Sequence, residues 1–475
     1  MRKTKIVCTL GPASNTLPTI REMLKAGMNV ARFNFSHGTH DSHFELLQQL
    51  NRARNETGIP VAALMDTKGP EIRVGMFTEG KIMLHDGDSF TLTGRDVPGD
   101  EHIVSISYPN LAKDLGDNKR ILIDDGNVEL EVTDIDDLDI HTRVISGGQV
   151  SNRKGVNVPG VHINLPYISE KDCEDVLFGI RTGFDYVAAS FVRSAEDLKA
   201  MRTLLNENGG EHVRIIAKVE NAEGVANIRE IINNSDGIMI ARGDLGVEVP
   251  LEEIPVLQKQ IIRLGAMAGR PVITATQMLE SMVSHPRPTR AEITDVANAI
   301  YDGTSATMLS GETANGKYPV EAVRTMARIA ERTEKDINYA KRFVEQAIGE
   351  DEDGVTNAIS HATCLIAYRL NAAAIITVTK SGATARMISR FRPSMPIIAC
   401  TPEATTRRQL SLSWGITPVI MPEERVTDVL FMHAVHIAQQ SGLVVPGDLV
   451  VLTAGVPIGQ SGTTNLIKVV EVPHD

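Results

Sequence analysis

The chain has 475 residues, of which 42% are hydrophobic, 23% charged and only 4% aromatic. That ordinary globular usage excludes disordered, collagenous and coiled-coil classes, and at roughly 150 residues per domain the length predicts about three domains. Lys and Arg total 48 against 60 Asp and Glu, and the net charge of −12 repels nucleic acid and anionic membranes while leaving small phosphorylated ligands as candidates.

The N-terminus is basic, but the apolar run after it stops at Gly11-Pro12, too soon for an export signal. No stretch reaches the roughly 18 to 20 apolar residues that span a bilayer, so a cytoplasmic protein is expected. Cys8, Cys173, Cys364 and Cys400 lie far apart without metal spacing and read as reduced packing residues. Strands are predicted to begin near Lys5, Asn29 and Pro60, then near Asp185, Arg214, Gly237, Pro271 and Ser305, with helical patterns between them. This is the signature of βα units. Successive starts lie 23 to 34 residues apart except for one gap of 125, long enough for one ordinary unit and an inserted domain. The fold class is therefore α/β, a (β/α)8 TIM barrel made by residues 1–69 and 167–345.

The insert, residues 70–166, has short alternating segments such as 89–93 and 128–132, punctuated by Gly80, Gly87, Gly94, Gly126 and Gly147-Gly148. It reads as a small β-barrel lid domain, with the acidic run 134–139 as a solvated hairpin tip rather than a metal site. Because loops after barrel strands all open at one face, this domain would sit beside the barrel mouth, hinged at 66–70 and at Leu165-Pro166. Residues 349–354 (GEDEDG) read as a linker. Beyond it, strands near Ala374, Pro396, Gly415 and Asp448, and a last one over 466–472, alternate with helices and predict a C-terminal doubly wound α/β domain over 346–475.

Side chains two apart on a strand share a face, and the C-terminal ends of barrel strands build active sites. In the second strand Arg32, Asn34 and Ser36 share one face; the third ends in Asp66 and Thr67, the fifth in Lys218 and Glu220, the sixth in Asp244, the seventh in Thr274 and Thr276, and the eighth in Ser310 and Glu312. This mixture suits phosphoryl transfer. A phosphoryl group in flight spreads negative charge that fixed cations stabilise, here Arg32 and Lys218. Magnesium is usually held by one or two carboxylates plus substrate oxygens, here Glu220 and Asp244. Asn34, Ser36, Asp66 and Thr67 supply oxygens for a second, less demanding cation.

Residues 32–38 (RFNFSHG), 66–73 (DTKGPEIR), 218–221 (KVEN), 242–248 (RGDLGVE), 274–282 (TATQMLESM), 286–298 (PRPTRAEITDVAN) and 309–319 (LSGETANGKYP) resemble the motif set of the pyruvate kinase family, in the family's order. The lid and C-terminal domains also match, so the resemblance covers nearly the whole chain. It implies a glycolytic transferase that takes phosphoenolpyruvate and ADP to pyruvate and ATP with Mg²⁺ and K⁺. Carried over residue by residue, Arg32 would contact the substrate phosphate and Lys218 would be the transition-state cation. Glu220 and Asp244 would bind Mg²⁺, and the Gly243 backbone with Asp244 and Thr276 would hold the substrate carboxylate. Asn34, Ser36, Asp66 and Thr67 would bind K⁺, with Glu71 matching the family's K⁺-dependent form. Asn34, His37, Arg73 and Lys154 would face the nucleotide, and Thr276 and Ser310 would join the water relay that protonates the enolate. A homotetramer is implied as well.

Thr379, Lys380, Ser381, Gly382, Ala383 and Thr384 lie between a predicted strand and helix, where hydroxyls, a Lys and helix N-terminal amides make an anion site. In the family this loop holds a phosphate of the activator fructose 1,6-bisphosphate, and a second Gly-rich loop, 457–464 (PIGQSGTT), would cover the effector. The effector stays open among phosphorylated sugars and AMP. Two other readings compete: a catalytically weak sugar-phosphate sensor with the same fold, and another phosphoenolpyruvate-using barrel such as a mutase or aldolase. The full set of catalytic positions disfavours the first. The DTKGPEIR segment and the nucleotide-facing basic residues disfavour the second.

Overall fold

The computed structural model describes residues 1–347, 354–424, 426–457 and 463–474. Eight parallel strands, Lys5–Thr9, Val30–Asn34, Ala62–Asp66, Tyr186–Ala189, Arg214–Val219, Gly237–Ala241, Val272–Ala275 and Ala306–Leu309, pair in chain order and close when the last meets the first. Each begins within two residues of its predicted start. Alternation sorts their side chains: Val30, Leu64, Tyr186, Ile216, Met239, Ile273 and Met308 fill the barrel interior, while Phe33, Met65, Val187, Ile215 and Leu309 pack outward under the helices. The helices are bounded by local chemistry. Thr39, Ser169 and Thr289 cap His40–Thr57, Glu170–Thr182 and Arg290–Asp302, and Gly58, Gly183 and Gly303 end them in left-handed backbone.

Between the third and fourth barrel strands the chain forms a seven-stranded sheet with Ile72–Arg73 at one edge and Ile103–Ser105 at the other. A bridge between Val74 and Ile106 joins those edges, with Gly75 N donating to Ser105 O at 2.7 Å and Ser107 N to Arg73 O at 2.9 Å, so the small sheet closes on a core of its own around Phe90, Leu92, Leu130 and Ile140. The acidic run lies at the tip of the hairpin Val128–Asp136 and Asp139–Ser146, where Asp134, Asp136 and Asp137 are exposed.

The C-terminal sheet runs Ile416–Ile420, Ile397–Thr401, Ala374–Val378, Leu449–Gly455 and Thr464–Glu471, the last antiparallel to its neighbour. Val355–Arg369 and Ala383–Arg390 cover one face and Thr427–Gln440 the other, the doubly wound arrangement. The linker expected at 349–354 lies outside the described residues apart from Gly354. Cys8, Cys364 and Cys400 are buried, Cys173 is half-buried, and all four are free thiols. Among the described residues no helix is long and apolar enough to cross a membrane.

This C-terminal sheet and its helices cap the floor of the barrel, opposite the mouth. Leu412 joins the barrel's interior cluster, Tyr186 Oη donates to Gln409 O at 2.6 Å, and Arg408 pairs with Asp185 at 2.8 Å. Lys5 is buried at the same floor and donates to Ile416 O at 2.7 Å. Burial, reinforced by the Arg2 charge, lowers its ammonium from 10.5 to about 7. Between those values the unfolded chain holds a proton that the folded chain has released, so this group makes stability rise with pH, by at most about 1.4 kcal/mol per unit. Thermal unfolding at pH 7, 8 and 9 should show a shallower rise in Lys5→Met than in the wild type. Equal slopes would contradict the buried, neutralised Lys5.

Candidate active site at the barrel mouth

Asp66, on the third strand, is 1% exposed and accepts from two cations: Arg32 Nε at 2.5 Å and Lys218 Nζ at 2.9 Å. Burial pushes the Asp66 carboxyl up, but Arg32 and Lys218 together outweigh it and hold the group below the usual carboxylate range. Lys218 also pairs with Glu220 Oε1 at 2.9 Å and donates to Ser190 Oγ at 2.7 Å. Burial opposes its charge, and Asp66 and Glu220 more than offset that, so the ammonium is firmly retained.

Glu220 accepts from Phe191 N at 2.6 Å and shares a hydrogen bond with Asp244 in the first turn of Arg242–Glu248. Burial raises both carboxyls, and their mutual repulsion adds to the rise of Glu220. Two crowded carboxylates of this kind are a donor pair suited to a hard divalent cation. No cluster of three or more metal-ligating His, Cys, Asp or Glu occurs among the described residues.

The oxygens expected to bind a monovalent ion lie on adjoining strand ends, Asn34 standing in register with Asp66. Asn34 Oδ1 accepts from Ser36 N at 3.1 Å, and Thr67 Oγ1 donates to Ala188 O at 3.2 Å. Glu71 is turned instead to Arg73, at 2.6 Å.

On the seventh strand the interior positions are Ile273 and Ala275, not Thr274, whose hydroxyl bonds to Thr304 Oγ1 at 3.0 Å. Thr276 reaches the mouth by a different route: its φ of 69° and that of Gln277, 53°, turn the chain so that Thr276 Oγ1 accepts from Gly243 N at 2.8 Å. Left-handed backbone at non-glycine residues costs about 1 to 3 kcal/mol each and must be held by its surroundings. Here Arg242 donates to Thr276 O at 2.7 Å and is fixed by a two-pronged pair with Asp295, both bonds 2.7 Å. Ser310 Oγ is buried without a hydrogen-bond partner among the described residues, and Glu312 is not a mouth group: it accepts from Ser310 N and Leu279 N at 2.7 and 2.9 Å. Sequence reasoning missed Ser190, Arg242 and Asp295. Ser190 alone carried a signal, continuing the inward alternation of Tyr186 and Ala188.

A cavity of about 910 Å³ opens between the mouth and the inserted domain, lined by His37, Glu71, Arg73, Lys154 and Asp244 among others. Three of the four nucleotide candidates thus face one space; Asn34 is not part of its lining. Arg73 also donates to Arg153 O at 2.7 Å, and Lys154 pairs with Asp124 at 2.7 Å, so both cations are held in place by polar partners.

In the C-terminal domain Gly382, at φ 79°, leads into Ala383–Arg390, and a Cβ there would come within 2.6 Å of Arg386 Nη1. Gly382 N donates to Thr379 Oγ1 at 3.0 Å, Lys380 pairs with Glu423 at 3.2 Å, and Thr384 Oγ1 meets Thr464 Oγ1 at 2.7 Å. Of the second loop, 457–464, residues 458–462 lie outside the described residues.

The sequence pattern described as "Pyruvate kinase, barrel domain" matches residues 1–323, and "Pyruvate kinase, alpha/beta domain" matches residues 357–470. This chain belongs to the pyruvate kinase family. It is 51% identical over 470 residues to a pyruvate kinase of Geobacillus stearothermophilus, covering 98% of this chain and 80% of that protein. It is 50% identical over 470 residues to one of Clostridium acetobutylicum, covering 99% of each. A crystal structure of a pyruvate kinase from Cryptosporidium parvum superposes with a TM-score of 0.95 at 40% identity, covering 99% of this chain and 96% of that one. The pyruvate kinase barrel and α/β domains accordingly carry the mouth and the capped floor described above.

Asp66→Asn would leave Arg32 and Lys218 buried without their shared negative charge. Breaking a buried pair in this way typically costs about 3 to 5 kcal/mol. Urea unfolding should show a loss of that order, and a loss below about 1 kcal/mol would mean that the two cations do not depend on Asp66.

Proposed function

We propose that this pyruvate kinase family member transfers the phosphoryl group of phosphoenolpyruvate to ADP, giving pyruvate and ATP, at the Arg32, Asp66, Lys218, Glu220 and Asp244 cluster. The observation that carries the reading is the pair of cations fixed on one buried carboxylate beside a second pair of buried carboxylates. Arg32 would hold the substrate phosphate in the ground state. Lys218, fixed from several sides, would stabilise charge on the equatorial oxygens as the phosphoryl moves, with no reorganisation at that moment.

Glu220 and Asp244 would hold Mg²⁺, which would supply positive charge to neutralise the substrate's negative oxygens. Asn34, Ser36, Asp66 and Thr67 would hold K⁺, with Glu71 nearby in sequence as the mark of the K⁺-dependent form. Gly243 N, Asp244 and Thr276 would orient the substrate carboxylate. The unpartnered Ser310 hydroxyl and Thr276 would hold the water that delivers a proton to the enolate. His37, Arg73 and Lys154 would face the nucleotide in the cavity, with Asn34 at its barrel side. The insert, 70–166, would close over that cavity and exclude water while the barrel, 1–69 and 167–345, does the chemistry.

The C-terminal part, 346–475, would bind a phosphorylated effector at Thr379, Lys380, Ser381, Gly382, Ala383 and Thr384. A route to the mouth supports this reading. Arg214 Nη2 donates to Ser381 O at 3.1 Å, and Arg214 opens the strand Arg214–Val219 that carries Lys218. A cytoplasmic homotetramer completes the proposal.

Lys218→Met should lower kcat by about 10³ or more while phosphoenolpyruvate still binds, because the ammonium acts most on charge that develops in the transition state. A lactate dehydrogenase-coupled assay and a direct binding titration check the two halves. A kcat within tenfold of wild type would reject the role given to Lys218.

A further inference from the structure

The seam between the barrel floor and the C-terminal domain is crowded with cations. Arg270, just past the barrel helix Ile254–Met267, and Arg386, Arg390 and Arg392, from Ala383–Arg390 and the turn after it, line a small cavity with three serines and no carboxylate. Arg392 has its needs met: it donates to Gly303 O at 3.0 Å and Ser305 Oγ at 2.9 Å and lies 4.7 Å over the Trp414 ring. Arg386 does not. Its Nη2 donates to Ser381 O at 2.8 Å, but its Nη1 is buried without a hydrogen-bond partner. The Arg270 guanidinium makes no hydrogen bond or ion pair among the described residues.

The neighbouring acid is already engaged. Asp236 accepts from Arg214 at 2.8 Å, from Arg202 at 2.7 Å and from Ile215 N at 3.0 Å. Burial, together with the Arg214 and Arg270 charges, lowers the Arg386 guanidinium to about 9, the mark of a cation lacking a counter-charge. A buried donor of this kind, left unsatisfied, costs about 1 to 3 kcal/mol and more when charged.

We propose that this seam binds one small inorganic oxyanion of the phosphate or sulfate class between Arg270 and Arg386, tying the C-terminal domain to the barrel floor. Guanidinium forks match such oxygens, and the cavity is too small for an organic ligand. The site adjoins the proposed effector loop, since Arg386 bonds Ser381 O and packs beside Gly382, but it uses neither Lys380 nor any hydroxyl of that loop.

The test is calorimetric titration and thermal unfolding with sodium sulfate and with sodium phosphate, against sodium acetate at equal ionic strength. Wild type should bind one equivalent more than Arg270→Gln does, and its Tm should rise to a plateau. Arg270→Gln and Arg386→Gln should each weaken the apparent affinity at least tenfold, while kcat at saturating substrate stays within twofold. Arg270 makes no bond whose loss would unfold the chain, so it remains informative if the Arg386 variant is unstable. A Lys380→Ala/Ser381→Ala protein should respond as wild type does. The proposal is overturned by a Tm that climbs linearly with any salt, by equal responses in the arginine variants, or by a response lost in the Lys380/Ser381 variant alone.

Discussion

Asp66 stands where two requirements of the mouth collide. In the proposed reaction Arg32 and Lys218 act together on one phosphoryl group, and at that separation two cations repel. The carboxylate between them, accepting at 2.5 and 2.9 Å, converts repulsion into a fixed geometry. Burial at 1% exposure opposes the Asp66 charge, and the two cations hold it ionised in return. Ser190 completes the frame: its hydroxyl donates to Thr67 O at 2.7 Å and lies 3.2 Å from Asp66 Oδ1, which ties the end of the fourth strand to that of the third. Glu220 and Asp244 then form the complementary half: two carboxyls beside Lys218 whose ionisation burial disfavours, so that a cation between them would be welcome.

The barrel separates the mouth from the C-terminal domain by the length of its strands. Arg214–Val219 has Arg214 at the floor, bonded to Ser381 O, Gln409 and Asp236, and Lys218 at the mouth. Tyr186–Ala189 has Gln409 bonded at its floor end and Ser190 just beyond its mouth end. Both strands that converge on Lys218 are therefore gripped at the floor by the C-terminal domain.

Much of this was legible in the chain, for identifiable reasons. Strand starts were visible because β-branched runs such as 214–219 and 237–241 stand between helical patterns. Arg32, Asn34, Asp66, Lys218 and Glu220 were visible because period-two alternation holds right up to the strand ends. The same rule misled at Thr274, which faces away from the interior, and at Glu312, which belongs to the short helix Gly311–Ala314; Thr276 reaches the mouth only because its positive φ breaks the alternation after Ala275. Arg242 and Asp295 pair across 53 residues through a tertiary contact that no local pattern encodes. The closed edge of the insert depends on isolated bridges, Val74 to Ile106 and Phe77 to Gly99, which alternation alone does not reveal.

The most direct measurement of the central claim is phosphorus NMR of the protein with phosphoenolpyruvate, following the phosphoryl group itself. With ADP, Mg²⁺ and K⁺ present, the phosphoenolpyruvate signal should decay as the three resonances of ATP grow in equal proportion, and removal of ADP or of Mg²⁺ should stop both changes. Loss of phosphoenolpyruvate to inorganic phosphate, or its conversion without ADP, would contradict a site built to pass the phosphoryl group to a nucleotide.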